Sequence, residues 1–157
     1  MGGALKGILQ GHKVEIIKTV KANGENAQVS WNPDISAWII CSKNVGIAIK
    51  KIEDINLYPP DKCSFAMEIA KCWFNYLTEL SENGKHPEKI ASLKQDLANI
   101  TLIGEYIGNP THQHMVLYNR ETLIFYGIVD NYKPDLCWPI DRAVTLFSKH
   151  HLDVVIV

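Results

Sequence analysis

The first third of the chain alternates short apolar runs with turn residues. Val14 to Val20 is mostly apolar and β-branched, which predicts a strand. Gln28 to Trp31, Ala37 to Cys41 and Gly46 to Ile49 predict three more. They are separated by Asn32-Pro33-Asp34 and by Lys43-Asn44, so an antiparallel meander with short connections is expected. Pro59-Pro60-Asp61 ends this pattern and suits a helix start. Phe65, Ile69 and Trp73 recur at helical spacing, and Met67, Ala70, Phe74 and Leu77 widen the stripe into a helix face. Asn83-Gly84 closes that helix. His86-Pro87 opens a second, through about Leu97, with only a narrow apolar face. Ile100 to Ile107 returns to β spacing. Met115 to Tyr118 and Thr122 to Val129 predict a hairpin around Asn119-Arg120-Glu121. Trp138 to Leu152 predicts a helix with Ile140, Val144 and Phe147 on one face. Asp153 to Val157 predicts a buried strand paired on both sides, and hence a natural chain that continues past Val157. The expected fold class is α+β, one domain over residues 1–157, with antiparallel sheets and helices packed against them.

Composition narrows this picture little. The chain has 157 residues, 46% hydrophobic and 21% charged, ordinary values for a globular protein. A net charge of -1 excludes a strongly basic nucleic-acid binder by average charge and leaves a local basic patch open. No apolar run approaches the roughly 18 residues of a membrane span, and the N-terminus lacks the pattern of a secretory signal. Lys6 stands where a myristoylation signal requires Ser or Thr. Cys41, Cys63, Cys72 and Cys137 form no Cys-x-x-Cys pair, so buried free thiols in an intracellular protein, cytoplasmic or nuclear, are expected rather than a zinc site.

Chemistry centres on Lys21. A lysine becomes a nucleophile when its amine loses its proton, through desolvation or nearby positive charge. The predicted first strand would deliver Lys21 to a turn at Asn23-Gly24, where glycine permits a positive φ or close approach to a ligand. Those facts alone better describe a solvated lysine beside an Asn-Gly hairpin. His112 and His114 would share one strand face, but no third metal ligand lies near them, and a polar loop after Asn109-Pro110 is expected. His150-His151 is expected to complement a helix C-terminus.

Lys21-Ala22-Asn23-Gly24 resembles motif I of the covalent nucleotidyltransferases, in the form seen in fungal-type tRNA ligases. Ser42-Lys43-Asn44 resembles the motif Ia turn of the phage RNA ligase 1 and tRNA ligase branch. Thr101-Leu102-Ile103-Gly104-Glu105-Tyr106-Ile107 resembles motif III, and Leu123 to Asn131 stands where motif IIIa belongs. The resemblance covers roughly Val14 to Asn131. It implies a ligase adenylation domain, ATP-grasp-like, with ATP and Mg²⁺ (or Mn²⁺) as cofactors and RNA as substrate. Lys21 would be the nucleophile that forms lysyl-AMP, and the AMP would pass to an RNA 5′-phosphate before a 3′-hydroxyl seals the strand. Asn23 and Gly24 would shape the loop, Ser42 and Lys43 would contact the nucleotide or its phosphates, and Glu105 would bind the ribose or help place metal. Strand alternation puts Tyr126 and Ile128 together, opposite Phe125, and the adenine is expected on the Tyr126/Ile128 side.

The pattern also departs from that family. No Glu-Gly strand of the motif IV kind follows Val129, and no Lys-x-Lys of the motif V kind lies beyond it. Relatives also carry a longer segment before motif I. The expectation is the N-terminal part of an adenylation domain, which would adenylylate poorly alone. A capping-type guanylyltransferase, or a noncatalytic nucleotide- or RNA-binding module that lost motifs IV and V, would fit the same residues.

Overall fold

Tight turns organise the start of the chain into a sheet. In the computed structural model, which describes residues 10–11, 16–108 and 121–155, β1 (Glu25–Asn32), β2 (Ala37–Cys41) and β3 (Gly46–Ile49) form the expected meander. The Asn32 carboxamide accepts the backbone N–H groups of Asp34 and Ile35 and closes the first turn. A short 3₁₀ turn (Ile52–Leu57) leads to α1 (Pro60–Leu80), and α2 (Pro87–Asp96) follows. Both helices begin on a proline, where the missing N–H is no loss. The chain then runs through β4 (Ile100–Ile107), β5 (Thr122–Asp130), β6 (Lys133–Cys137) and α3 (Ile140–Lys149).

The described strands form one six-stranded antiparallel sheet of order β3-β2-β1-β4-β5-β6. The fold is α+β, as the pattern predicts. Alternation sends Ala27, Val29, Trp38, Ile40, Ile47, Ile49, Leu102 and Phe125 to one face, where α1 and α3 cover them. Ile69, Ala70, Trp73 and Leu77 supply the buried stripe of α1, and Leu93 with Leu97 supply the narrow face of α2. Asn26, Gln28, Ser30, Ile103 and Glu105 point to the other face and stay half-buried.

The open edge of the sheet at β3 is capped by one side chain. The Tyr58 hydroxyl accepts the Ala48 N–H and donates to the Ala48 carbonyl, both at 2.9 Å. An unprotected edge strand is a template for pairing with another chain. Tyr58→Phe is expected to cost about 1 kcal/mol. It should also speed hydrogen exchange at the Ala48 amide while leaving β1 and β4 protected, which amide-resolved exchange would check.

Several expectations are corrected. Residues 16–23 form no strand, although Val14 to Val20 has strand composition. Both sides of β1, the strand that follows this segment, are taken by β2 and β4, and Ile16, Ile17 and Val20 stay 75%, 44% and 64% exposed. β6 is an addition, hidden in the sequence by Pro134 and Asp135; it pairs with β5 only at Val129–Cys137 and Asp130–Lys133. Asp153 to Val155 is a single parallel bridge to β5 through Val154 and Phe125 rather than a strand paired on both sides. Cys63 alone of the thiols is fully buried: Cys41 and Cys72 are half-buried, and Cys137, on β6, is exposed. Burial, with Glu121 and Glu68 adding, pushes the Cys72 thiol up to about 11. The predicted Met115–Tyr118 strand, His112 and His114 lie outside the described residues. No helix among the described residues is long and apolar enough to cross a membrane.

Candidate active site

Lys21 stands on an exposed lead-in that is tied to the sheet just after it. Its Nζ donates to the Asn23 side-chain oxygen at 2.9 Å and weakly to the Ala22 carbonyl at 3.5 Å. Ala22 is buried, alone among residues 16–23. The Gly24 N–H donates to Glu105 Oε2 at 2.5 Å across 81 residues of sequence. Thus the Lys21–Gly24 loop and β4 are joined by a hydrogen bond to a carboxylate, the stronger kind. Gly24 does not take a positive φ. Its role is close approach, to protein rather than ligand: a Cβ there would strike the Tyr106 carbonyl oxygen and lie 2.7 Å from Ile107 Cδ1.

A cleft of about 420 Å³ opens beside this junction. Lys21, Ala22, Val20, Thr19 and Ile17 line one side, Glu105 and Tyr126 the sheet side, and Ile140 with Val155 the end. Its volume lies within the range of small-molecule clefts, and apolar walls with a few polar groups are the usual lining. Lys21 is the sole cation among the described lining residues.

Tyr126 faces the cleft, and β5 is irregular there. Phe125 pairs with Gly104 and Gly127 with Ile103, so Tyr126 is an extra residue bulged out of the ladder. The bulge reverses the alternation after it. Phe125 and Ile128 therefore share the core face, at 1% and 0% exposure, and Tyr126 faces the other way. The expected pairing of Tyr126 with Ile128 is corrected on this ground, and Ile128 is a core residue away from the cleft. Gly104 permits the bulge: a Cβ there would lie 2.5 Å from the Ile124 carbonyl oxygen. Burial first, then the adjacent Glu105 charge, push the Tyr126 hydroxyl above its ordinary pKa, against a hydrogen bond with Asn26.

Ser42 and Lys43 do not line this cleft. They form the β2–β3 turn, where the Ser42 N–H and hydroxyl both donate to the Val45 carbonyl and Lys43 is exposed. Since Cys41 pairs with Gln28, and Glu105 with Asn26, the turn lies at the same end of the sheet as Lys21 and Glu105. Among the described residues no group of three or more His, Cys, Asp or Glu side chains could hold a metal. The contributions of Val155 and Ile140 to the cleft carried no motif and were not legible in the sequence.

No protein-family model matches the chain, and no curated protein matches it. Solved structures do. Two different mutants of a Naegleria gruberi RNA ligase, each described with ATP and Mn, align over 87% of this chain and 34% of theirs. Their identities are 15% and 14%, with TM-scores of 0.50 and 0.51. The chain shares its fold with part of these RNA ligases. An archaeal ATP-dependent RNA ligase aligns over 88% of this chain and 29% of its own, with 11% identity and a TM-score of 0.49. The chain thus spans about a third of the length of the structures it matches.

Proposed function

We propose that the cleft binds ATP and that Lys21 takes its AMP, as the first step of RNA sealing. The observation carrying this reading is the meeting, in one cleft, of the Lys21 amine, the Glu105 carboxylate and the Tyr126 ring, drawn from three separate stretches of sequence. Lys21 Nζ, having lost its proton, would attack the α-phosphorus. A P–N bond forms, the bond to the bridging oxygen breaks, and pyrophosphate leaves. The AMP would then pass to an RNA 5′-phosphate oxygen with cleavage of the P–N bond, and a 3′-hydroxyl would displace AMP and seal the strand.

Tyr126 offers a flat face for the base, with Ile140 and Val155 as apolar walls. Glu105 has one oxygen engaged by Gly24, and among the described residues no hydrogen bond engages the other. That oxygen fits a ribose hydroxyl or a share in Mg²⁺, which usually takes one or two carboxylates and completes its shell with phosphate and water oxygens. When bound, Mg²⁺ would neutralise charge on the leaving pyrophosphate. Asn23 holds the Lys21 amine, and Gly24 fixes the loop. Ser42 and Lys43 would act from the neighbouring turn, on nucleotide or phosphate.

One observation favours a noncatalytic nucleotide- or RNA-binding module. Lys21 lacks a second cation among the described cleft residues, and charge neutralisation dominates phosphoryl transfer. Incubation with α-labelled ATP or GTP and Mg²⁺ separates the readings. The expected result is an acid-labile, base-stable label from ATP that Lys21→Ala abolishes. Label from GTP alone indicates guanylyl transfer, and ATP binding without label indicates the binding module.

A further inference from the structure

Two attachments hold the lead-in that carries Lys21 to segments remote in sequence. Gly24 is held by Glu105. Ala22 is held in a small apolar cluster with Ile107 and Val155, against which Ile124 and Val154 pack. Val155 is also a wall of the cleft. Whatever fixes Val155 therefore fixes both the end wall and the residue next to the proposed nucleophile.

Val155 lies on a strap, whose described part is His150–Val155, that leaves the C-terminus of α3. At its far end the strap is bonded to β5: the Phe125 N–H donates to the Asp153 carbonyl at 2.9 Å, and the Val155 N–H to the Phe125 carbonyl at 3.0 Å. Thr122 Oγ1 donates to Asp153 Oδ2 at 2.8 Å. At its near end the strap turns through His151, whose φ of 54° is disfavoured for a residue with a Cβ. That reversal needs a firm anchor, and His150 supplies it. His150 is 4% exposed, its Nε2 lies 2.7 Å from Asp96 Oδ2, and its carbonyl accepts the Tyr76 hydroxyl at 2.8 Å. Lys149 Nζ donates to the same Asp96 oxygen at 2.6 Å. The strap is thereby clamped to the end of α2 through Asp96 and to α1 through Tyr76.

We propose that His150 is a positioning residue for the nucleotide cleft. It anchors the strap that sets Val155, and through Val155 it holds Ala22 and the Lys21 amine in register with Glu105 and Tyr126. This rests on the reading of the cleft as a nucleotide site. A helix-terminal histidine serving only the helix dipole would need neither burial nor Asp96.

The test compares the wild type with His150→Ala and His150→Gln, since glutamine retains an N–H donor toward Asp96. Three quantities are measured: amide exchange at Phe125 and Val155, ATP affinity in Mg²⁺, and thermal stability. His150→Ala is expected to speed exchange at those two amides by about ten-fold while the central β1–β4 amides keep their protection. ATP affinity should fall by a similar factor, and His150→Gln should recover much of both. Should His150→Ala fail to fold, Asp96→Asn, which keeps the shape and weakens the clamp, carries the same comparison. Unchanged exchange at Phe125 and Val155 overturns the inference. So does faster exchange with ATP affinity intact. If the wild type does not bind ATP, the nucleotide reading fails, and His150 is then no positioning residue for that site even if exchange shows that it anchors the strap.

Discussion

Trp73→Ala is expected to lower the unfolding free energy by about 3–5 kcal/mol. For a chain of this length that corresponds to a melting-point drop on the order of 10 °C. Trp73 is fully buried at the middle of α1 and is the side chain through which the helix grips the sheet. Its ring centroid lies 5.1 Å from Trp38 on β2, 4.9 Å from Tyr76 on the same helix, and 6.2 Å from Phe125 on β5. Phe125 stacks in turn on Phe147 of α3, 5.8 Å away. Truncation leaves a void where several elements meet, and a void among aromatic rings on rigid elements closes poorly. The indole Nε1 is buried without a hydrogen-bond partner among the described residues. Trp73→Phe therefore loses area but no hydrogen bond, and should cost clearly less than the alanine change. Urea unfolding of the two variants reads this directly; equal costs would show that the ring contacts do not carry the stability.

The second large effect is on the site. Gly24→Ala is expected to leave the protein folded, at a cost of about 1–3 kcal/mol for overpacking, and to reduce the AMP transfer proposed for Lys21 by roughly 100-fold. The added Cβ collides with the Tyr106 backbone carbonyl and crowds Ile107. Backbone in the middle of a paired sheet does not yield, so the loop must. Moving it breaks the Gly24–Glu105 hydrogen bond and carries Lys21 away from Glu105 and Tyr126. A displacement near 1 Å is enough for such a loss when geometry governs the step. The check is the rate of labelling by α-labelled ATP together with a thermal melt. A variant that melts lower but labels at the wild-type rate would show that the loop does not position Lys21.

Much of the fold was legible because its elements are strongly periodic. β4 was readable from end to end, and the α1 stripe of Ile69, Ala70, Trp73 and Leu77 came directly from helical spacing. Failures came where a global constraint overrode local pattern. Residues 16–20 have the composition of a strand, but composition alone does not create pairing. In β5 a single bulged residue, Tyr126, reverses every later side chain, and alternation alone therefore misassigned Ile128. Of the residues that line the cleft, Lys21 and Glu105 were singled out in the sequence by residue type and motif spacing. Val155, Ile140 and the His150–Asp96 clamp could not be, because their contributions exist only once distant segments meet.

The measurement closest to the central claim is peptide mapping of the protein after reaction with ATP and Mg²⁺, with digestion kept at alkaline pH to preserve a phosphoramidate. The predicted result is AMP on Lys21, on a peptide left uncleaved at that lysine. AMP on Lys43 or Lys18, or ATP bound with no adduct on any lysine, would contradict it.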